Sequence, residues 1–504
     1  MSSAIQQTYE ELKEHYSHAQ VMLGAKNLMM IDMMVSMPRG AFDQRMKDID
    51  ILTLKIHDYL SADYVMNRLE SCLTDQKLKP DSWTVWDTAN LREMHKIYRS
   101  CAALPQDLYS RLIHLQSAGR HIQTRALKSN DRKAAHQHLE KCIDVLRDVA
   151  ARKQEEFQTP SKYGGLLTGL IDDMSEKDVA VLHDDIMTLL HKPGTRRKPS
   201  WGKNIEQPAS PLSKRDIMWL GTLLLQQFGF DFQNGRLIVS QGQAFCGGTH
   251  VDARILVRCS DPPRFFTTLS DILYQGGRGI YMQHIPRQWA NQPVGSLSGL
   301  PCVDACALLF ENFIGSSQPF FAFLEKEIKT LPSDPGDGIY SALNLTKMKN
   351  ELFEKHKSSD STRNLNDLLL NAIITKIESD LIDRQLEMYD LPDRWRADIE
   401  SVFDVDAHQS GIDYLDITSW FTGRFGEKAA QNIAYVSASQ IYASMQENIM
   451  DFEHLVSAGE FDPITQWLHQ KLFSKARSMP FTQLLRRASS SPRLKTGILK
   501  DFIQ

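Results

Sequence analysis

No uninterrupted apolar run in these 504 residues approaches the roughly 20 that a membrane-spanning helix needs, so no membrane role is expected. An excess of charge of either sign is missing too: 58 basic and 62 acidic residues nearly cancel, which removes the general electrostatic case for nucleic acid as a partner. Cysteine is scarce and odd in number, seven in all, which argues against a disulfide framework and for a reducing compartment. The opening MSSAIQQTYEELKEHY is polar and helical in pattern, without an apolar signal core, so the cytoplasm is the expected location. What is abundant is apolar residue, 42%, enough for a large core, with no part of the chain composed differently enough to suggest a second module. One domain over 1–504 is expected.

Apolar residues recur at three and four in YEELKEHYSHAQVMLGAKNLMMIDMM and in AAHQHLEKCIDVLRDVAARKQEEF, the spacing of amphipathic helices, and most of the chain reads this way. GRLIVS (235–240) and ARILVRC (253–259) are the exceptions, two short β-rich runs around the turn-rich AFCGGTHVD, read as a hairpin or two-stranded sheet. HKPGTRRKPSWGKNIEQPASPLS (191–213) collects proline and polar residues as a surface loop, and its Arg196, Arg197 and Lys198 read as a solvated charge run. There is no internal repeat.

The segment DILYQGGRGIYMQ (271–283) is helical on both flanks yet holds Gly276-Gly277, each glycine costing about 1 kcal/mol in a helix interior relative to alanine. A zinc helix of the HExxH kind would put two histidines at i and i+4 with a glutamate beside the metal. Here those places are held by Tyr274, Gln275 and Arg278: a poor ligand, a group that cannot accept a proton, and a permanent cation.

Taken in order, the local patterns resemble the Taq-type metallocarboxypeptidases nearly end to end. IDMMVSMPRGAFDQR resembles that family's WDQ…MPPGG…R, keeping Asp32, Met37, Pro38, Gly40 and Arg45; FGFDFQNGRLIVSQGQAFCGGTHVDARILVR resembles GFDFxxGRLDxSxHPFCGGxxxDVRITTR. IYMQHIPRQWANQPVGS and FENFIGSSQPFF resemble LYEQGLPxxWxGxPxG and WENxxGRSxxFW. The resemblance implies a mainly α, zincin-like fold with a deep central groove and a small β element, a homodimer, and a zinc- or cobalt-dependent release of C-terminal residues from short peptides. It also aligns the family's first histidine, glutamate and second histidine with Tyr274, Gln275 and Arg278, and the glutamate, histidine and arginine of its next motif with Asp304, Val303 and Leu308. The family's HPF becomes Gln243, Ala244 and Phe245, DVRIT keeps Asp252 and Arg254, and HWxxGxFGYFP becomes Ser419, Trp420 and GRFGEKA with Glu427 and Lys428; ELFEKHKSSDST does not match IRxxAD.

A peptidase of this kind needs a metal to polarise the carbonyl and a base to take a proton from its water. The inherited place supplies neither, so the expectation is a pseudoenzyme without a metal cofactor, its groove open to a peptide or protein ligand, with Asp252 and Arg254 as its substrate-binding residues and Gln283, Trp289, Glu311 and Asn312 also on retained walls. Two alternatives stand beside it: an active metallocarboxypeptidase, and repurposed chemistry in the old groove. For the latter, Cys302, Asp304 and Cys306 with His284 offer a relocated metal site and His284 with Cys302 a thiolate pair, against the reading that buried cysteines pack as small hydrophobes. Cys246 and His250 read as structural, Trp289, Trp420 and Phe425 as core or groove wall. Arg278 and Asp304 are expected to converge and form an ion pair where a metal would sit, the guanidinium donating to Gln275 as well.

Overall fold

A computed structural model describes residues 2–129, 131–171, 173–190, 212–240, 242–331, 338–355, 364–406 and 413–502, with side chains up to 350 in the sixth stretch. The basic cluster Arg196, Arg197, Lys198 and nearly all of the 191–213 segment lie outside the described residues. As the periodicity predicts, the chain is overwhelmingly helical. Helices α1 (Ser3–Val35), α2 (Phe42–Leu60), α3 (Asp63–Leu78) and α4 (Val85–Ala102) share a small core around Tyr9, Tyr16, Leu69 and Met94. They are followed by α5 (Gln106–Ser129), α6 (Arg132–Phe157), α7 (Lys162–Leu167), α8 (Glu176–Leu190) and α9 (Lys214–Gln227). After the strands come α10 (Phe265–Gln283), α11 (Leu300–Leu308), α12 (Gln318–Lys329), α13 (Ala342–Lys355), α14 (Leu365–Ile382), α15 (Leu391–Phe403), α16 (Thr418–Phe421) and α17 (Glu427–Asn448). Three short helices, α18 (Phe452–Ala458), α19 (Asp462–Lys471) and α20 (Phe481–Ser489), close the main core.

Capping places several of these starts. Ser213 and Asp216 form a reciprocal capping box at α9, and Asn364 and Asp367 do the same at α14, each satisfying two of the amides a helix N-terminus leaves free.

The sheet differs from the expected hairpin. Strands β1 (Gly235–Ser240), β2 (Phe245–Thr249) and β3 (Asp252–Arg258) are ordered β1-β3-β2, with β3 parallel to β1 and antiparallel to β2. The stretch read as a turn contains a strand because Phe245, Cys246 and Gly247 pair with Leu256, Ile255 and Arg254, and its two glycines hid that pairing from a propensity reading.

Almost every position of α10 is buried, which makes it a central helix rather than a surface one. It lies on α11, itself built from small residues, LPCVDACAL. Here the two glycines find their reason. A Cβ on Gly277 would stand 2.9 Å from Ala307 Cα and 2.9 Å from the Cys306 carbonyl oxygen, while one on Gly276 would meet only the end of the Leu225 side chain on α9. Gly277 is therefore demanded by helix packing, not by a bound chain. After α11 the backbone loosens into a π-helical turn, Leu309–Ile314. Contrary to the expectation from sequence, the stretch Pro293–Ile314 is long and apolar enough to cross a membrane by length and composition, but it is largely buried inside the fold, as a core helix is.

Gly277→Ala should destabilise the protein by about 1–3 kcal/mol, the usual cost of overpacking against unyielding backbone. Gly276→Ala should be close to neutral, since Leu225 can turn aside and alanine gains about 1 kcal/mol of helix propensity. Chemical denaturation midpoints of the two variants check the contrast.

Candidate functional site

Between α5, α6 and α7 on one side and α10 and the sheet on the other lies a cavity of about 750 Å³. Tyr274, Gln275 and Arg278 line it from α10, spaced so that they share one face of that helix. Gln243, Ala244 and Phe245 line it from the segment entering β2, and Thr422, Gly423, Arg424, Phe425 and Glu427 from the turn between α16 and α17. The sequence positions matched to the family's zinc helix, HPF and HWxxG motifs thus do come together.

At its floor the expected ion pair is present: the Arg278 guanidinium donates to Asp304 Oδ1. The Asp304 side chain is 3% exposed and that of Arg278 23%, so the carboxylate is the deeper member. Burial works against the guanidinium charge, but Asp304, then Tyr274, outweigh it and raise Arg278 above its ordinary value. One expectation fails in detail. The second contact of the guanidinium is with Tyr274, whose ring centroid lies 5.0 Å away and whose hydroxyl lies 3.5 Å from Arg278 Nη2, whereas buried Gln275 Oε1 and Arg278 Nε have no partner. Burial, then Asp304, raises the Tyr274 phenol, so it stays protonated.

This donor set does not fit a divalent metal. Its only carboxylate already holds a cation, the residue at i+4 is that cation, and a protonated phenol and an amide complete it. Among the described residues, no group of three or more His, Cys, Asp or Glu side chains could hold a metal ion. The relocated candidates do not assemble either. Cys306 is hydrogen-bonded with Cys302, and that contact with burial keeps its thiol well above the ordinary range. His284 points elsewhere, its Nδ1 2.8 Å from the Ile280 carbonyl and its ring against His469 and Phe473. Cys246 sits near Arg278, yet burial pushes its thiol up to about 12.

The residues expected on retained walls are elsewhere. Asp252 and Arg254 pair with each other along β3 and are not among the cavity's lining residues. They alternate onto one face of the strand, where the i and i+2 side chains reach each other rather than the cavity. Gln283 ties down the 231–234 turn through the Asp231 amide and carbonyl, Trp289 stacks on Trp86, Glu311 accepts from Ser270, and Asn312 donates to Tyr435. Each of these serves structure.

Three positions that line or brace the cavity were not singled out in the sequence. Glu378 on α14 is fully buried and receives Trp420 Nε1 at 2.9 Å, the Gly426 amide at 2.8 Å and Tyr163 Oη at 3.0 Å, which clamps the α16–α17 turn that walls the cavity. Arg120 on α5 and Lys153 on α6 line the same cavity. Lys153 carried a signal: it falls four residues after Val149 and seven after Leu146, on the apolar stripe of its helix, where a lysine is out of place.

Removing either member of the Arg278–Asp304 pair should cost about 3–5 kcal/mol, because the other is left buried and uncompensated. Arg278→Ala with Asp304→Ala should cost clearly less than the two losses added; full additivity in denaturation experiments would contradict the pairing. Burial raises Glu378 to about 7 from an ordinary 4.5, against the hydrogen bonds and Lys428, which pull it down. The folded state therefore favours the protonated acid, so this group's contribution is complete below about pH 4.5 and is lost as pH climbs through about 7. Glu378→Gln removes the titration, so the stability of the parent relative to this variant should fall across pH 4.5–7; a flat difference would contradict it.

The sequence and fold have clear relatives. The family model described as "Carboxypeptidase Taq (M32) metallopeptidase" matches residues 11–501. "Thermostable carboxypeptidase 1" of Pyrococcus furiosus is 22% identical over 486 residues, covering 94% of this chain and 91% of that protein. Among solved structures, Trypanosoma cruzi metallocarboxypeptidase 1 superposes with a TM-score of 0.84 at 19% identity, covering 99% of this chain and 98% of that one. A Pyrococcus furiosus carboxypeptidase does so with a TM-score of 0.83 at 21% identity, covering 98% of each chain.

Proposed function

The chain belongs to the carboxypeptidase Taq (M32) metallopeptidase family, and from that premise we propose that it is a catalytically inactive member, a pseudoenzyme whose groove binds peptide without cleaving it. The observation that carries this reading is the Arg278–Asp304 pair at the cavity floor. A guanidinium there supplies the positive charge that a buried carboxylate requires, and it has no empty orbital for a carbonyl oxygen and no bound water to activate. A general base is wanting as well: Gln275 cannot take a proton, Asp271, which lines the cavity one turn earlier, is held by Arg258 through 2.6 and 2.8 Å bonds, and Glu427, the other lining acid, is ion-paired with Arg424. What the cavity retains is room for a peptide, and binding is the activity left to it.

A second reading, an active metal-dependent carboxypeptidase, draws on the end-to-end match to proteins named as carboxypeptidases. It requires a ligand set that the cavity residues do not make. We further propose a homodimer, and a reducing, cytoplasmic setting consistent with seven unbridged cysteines.

Purified protein dialysed against a weak chelator should carry no stoichiometric zinc or cobalt, and should release no C-terminal residue from short peptides with or without added cobalt. About one zinc per chain together with peptide hydrolysis would establish the second reading instead. Light scattering on the same sample should give twice the 57.5 kDa of one chain.

A further inference from the structure

Charge around the cavity does not balance. Five cations line it: Arg120, Lys153, Arg258, Arg278 and Arg424. Three have carboxylates of their own, Arg258 with Asp271, Arg278 with Asp304, and Arg424 with Glu427, whose Oε2 lies 3.2 Å from Arg424 Nε. Among the described residues Asp271 and Glu427 are the only acids in the lining, and both are already paired. Arg120 and Lys153 remain. Both are part-buried, and among the described residues neither side chain meets a carboxylate. Burial holds the Lys153 amine below its ordinary value, as befits a cation lacking its anion, and the nearby Cys101 thiol, which burial pushes up to about 11, stays neutral and cannot supply one.

The spacing of the two free cations can be read from the helices that carry them. Helices α5 and α6 form an antiparallel pair, and the ion pair between Arg111 and Asp148, 3.4 Å, fixes which residues lie level. Arg120 is nine residues beyond Arg111 on α5, and Lys153 five residues beyond Asp148 on α6. Since the helices run in opposite directions, these displacements add, which puts the two positions about 20 Å apart along the wall at 1.5 Å per residue. An extended chain covers about 3.3–3.6 Å per residue, so about six residues bridge that span.

We propose that the groove takes an acidic peptide in extended form, about six residues long, with one carboxylate held by Lys153 and another by Arg120. The proposal deepens the peptide-binding reading and rests on it. A small anion would satisfy one cation and leave the other bare, whereas a peptide with carboxylates at both ends of the span neutralises both. The low-dielectric walls around Leu146, Val149 and Leu166 strengthen each charge contact relative to water.

Isothermal titration of the full chain with the acetylated hexapeptide Glu-Gly-Ser-Ser-Gly-Glu, its amidated Gln-Gly-Ser-Ser-Gly-Gln analogue, an acetylated Glu-Gly-Glu and inorganic phosphate tests this. The acidic hexapeptide should bind at least tenfold more tightly than the Gln analogue and the shorter acid, and lose that advantage in 0.5 M salt. Lys153→Met and Arg120→Gln should each cost about tenfold, and the double variant should reduce the acidic peptide to the level of its analogue. Lys153→Met removes a buried charge without a partner, so its melting temperature should hold or rise, which separates lost binding from lost folding. Equal binding of the acidic and Gln hexapeptides, unchanged by either variant, would overturn the charge assignment and leave the peptide-binding groove standing. Phosphate binding that is abolished by Lys153→Met, with the peptides inert, would make the site one for a small anion and overturn the proposal. Failure of all four to bind would remove the peptide-binding reading itself.

Discussion

Gly277 lets the backbone of α10 settle on α11 so closely that no Cβ fits between it and Ala307, and the rest of the site follows from that approach. With the axes held together, Tyr274, Gln275 and Arg278 on the neighbouring face of α10 line the space bounded by α5, α6 and the α16–α17 turn. Arg278, one residue past the glycine, can then reach around to Asp304 on the neighbouring helix. A wider separation would leave Asp304, 3% exposed, facing α10 without a donor, and an isolated carboxylate is among the costliest groups to bury. The small residues of α11 and the charge pair at the cavity floor are thus two parts of one solution.

The ion pair itself adds little net stability, because the desolvation of two charges offsets most of their attraction. Its consequence lies in what it excludes. A guanidinium cannot be deprotonated under any condition in which the fold survives, so Asp304 is never released to act as a ligand or a base. The Tyr274 ring beneath the guanidinium adds a cation–π contact and shields the pair from water.

Much of this was legible in the sequence, and what was not has physical causes. The helices announced themselves by period, and the position-by-position resemblance placed Tyr274, Gln275 and Arg278 in a common lining because helical spacing fixes which side chains share a face. Strand β2 was hidden because Gly247 and Gly248 carry turn propensity while making ladder partners with Arg254 and Ala253. Asp252 and Arg254 persisted for a local reason, a pair two residues apart on one strand, which from sequence is indistinguishable from a site residue. Arg120, Lys153 and Glu378 were missed because their meaning depends on what does not surround them, or on donors drawn from α7, α16 and the start of α17.

The charge count joins the two functional readings. A metal ion needs neutral or anionic donors and a surrounding that tolerates added positive charge. Among the described residues this cavity presents five cations to three carboxylates, so it disfavours a divalent cation even before ligand geometry is considered. The same surplus favours an anion, and it does so at two separated points along the α5–α6 wall rather than at the floor where Arg278 is already paired. On the readings proposed above the two features act together: the floor, where Arg278 is paired with Asp304, offers no place for a metal, and the wall offers two cations for the acidic groups of a bound chain.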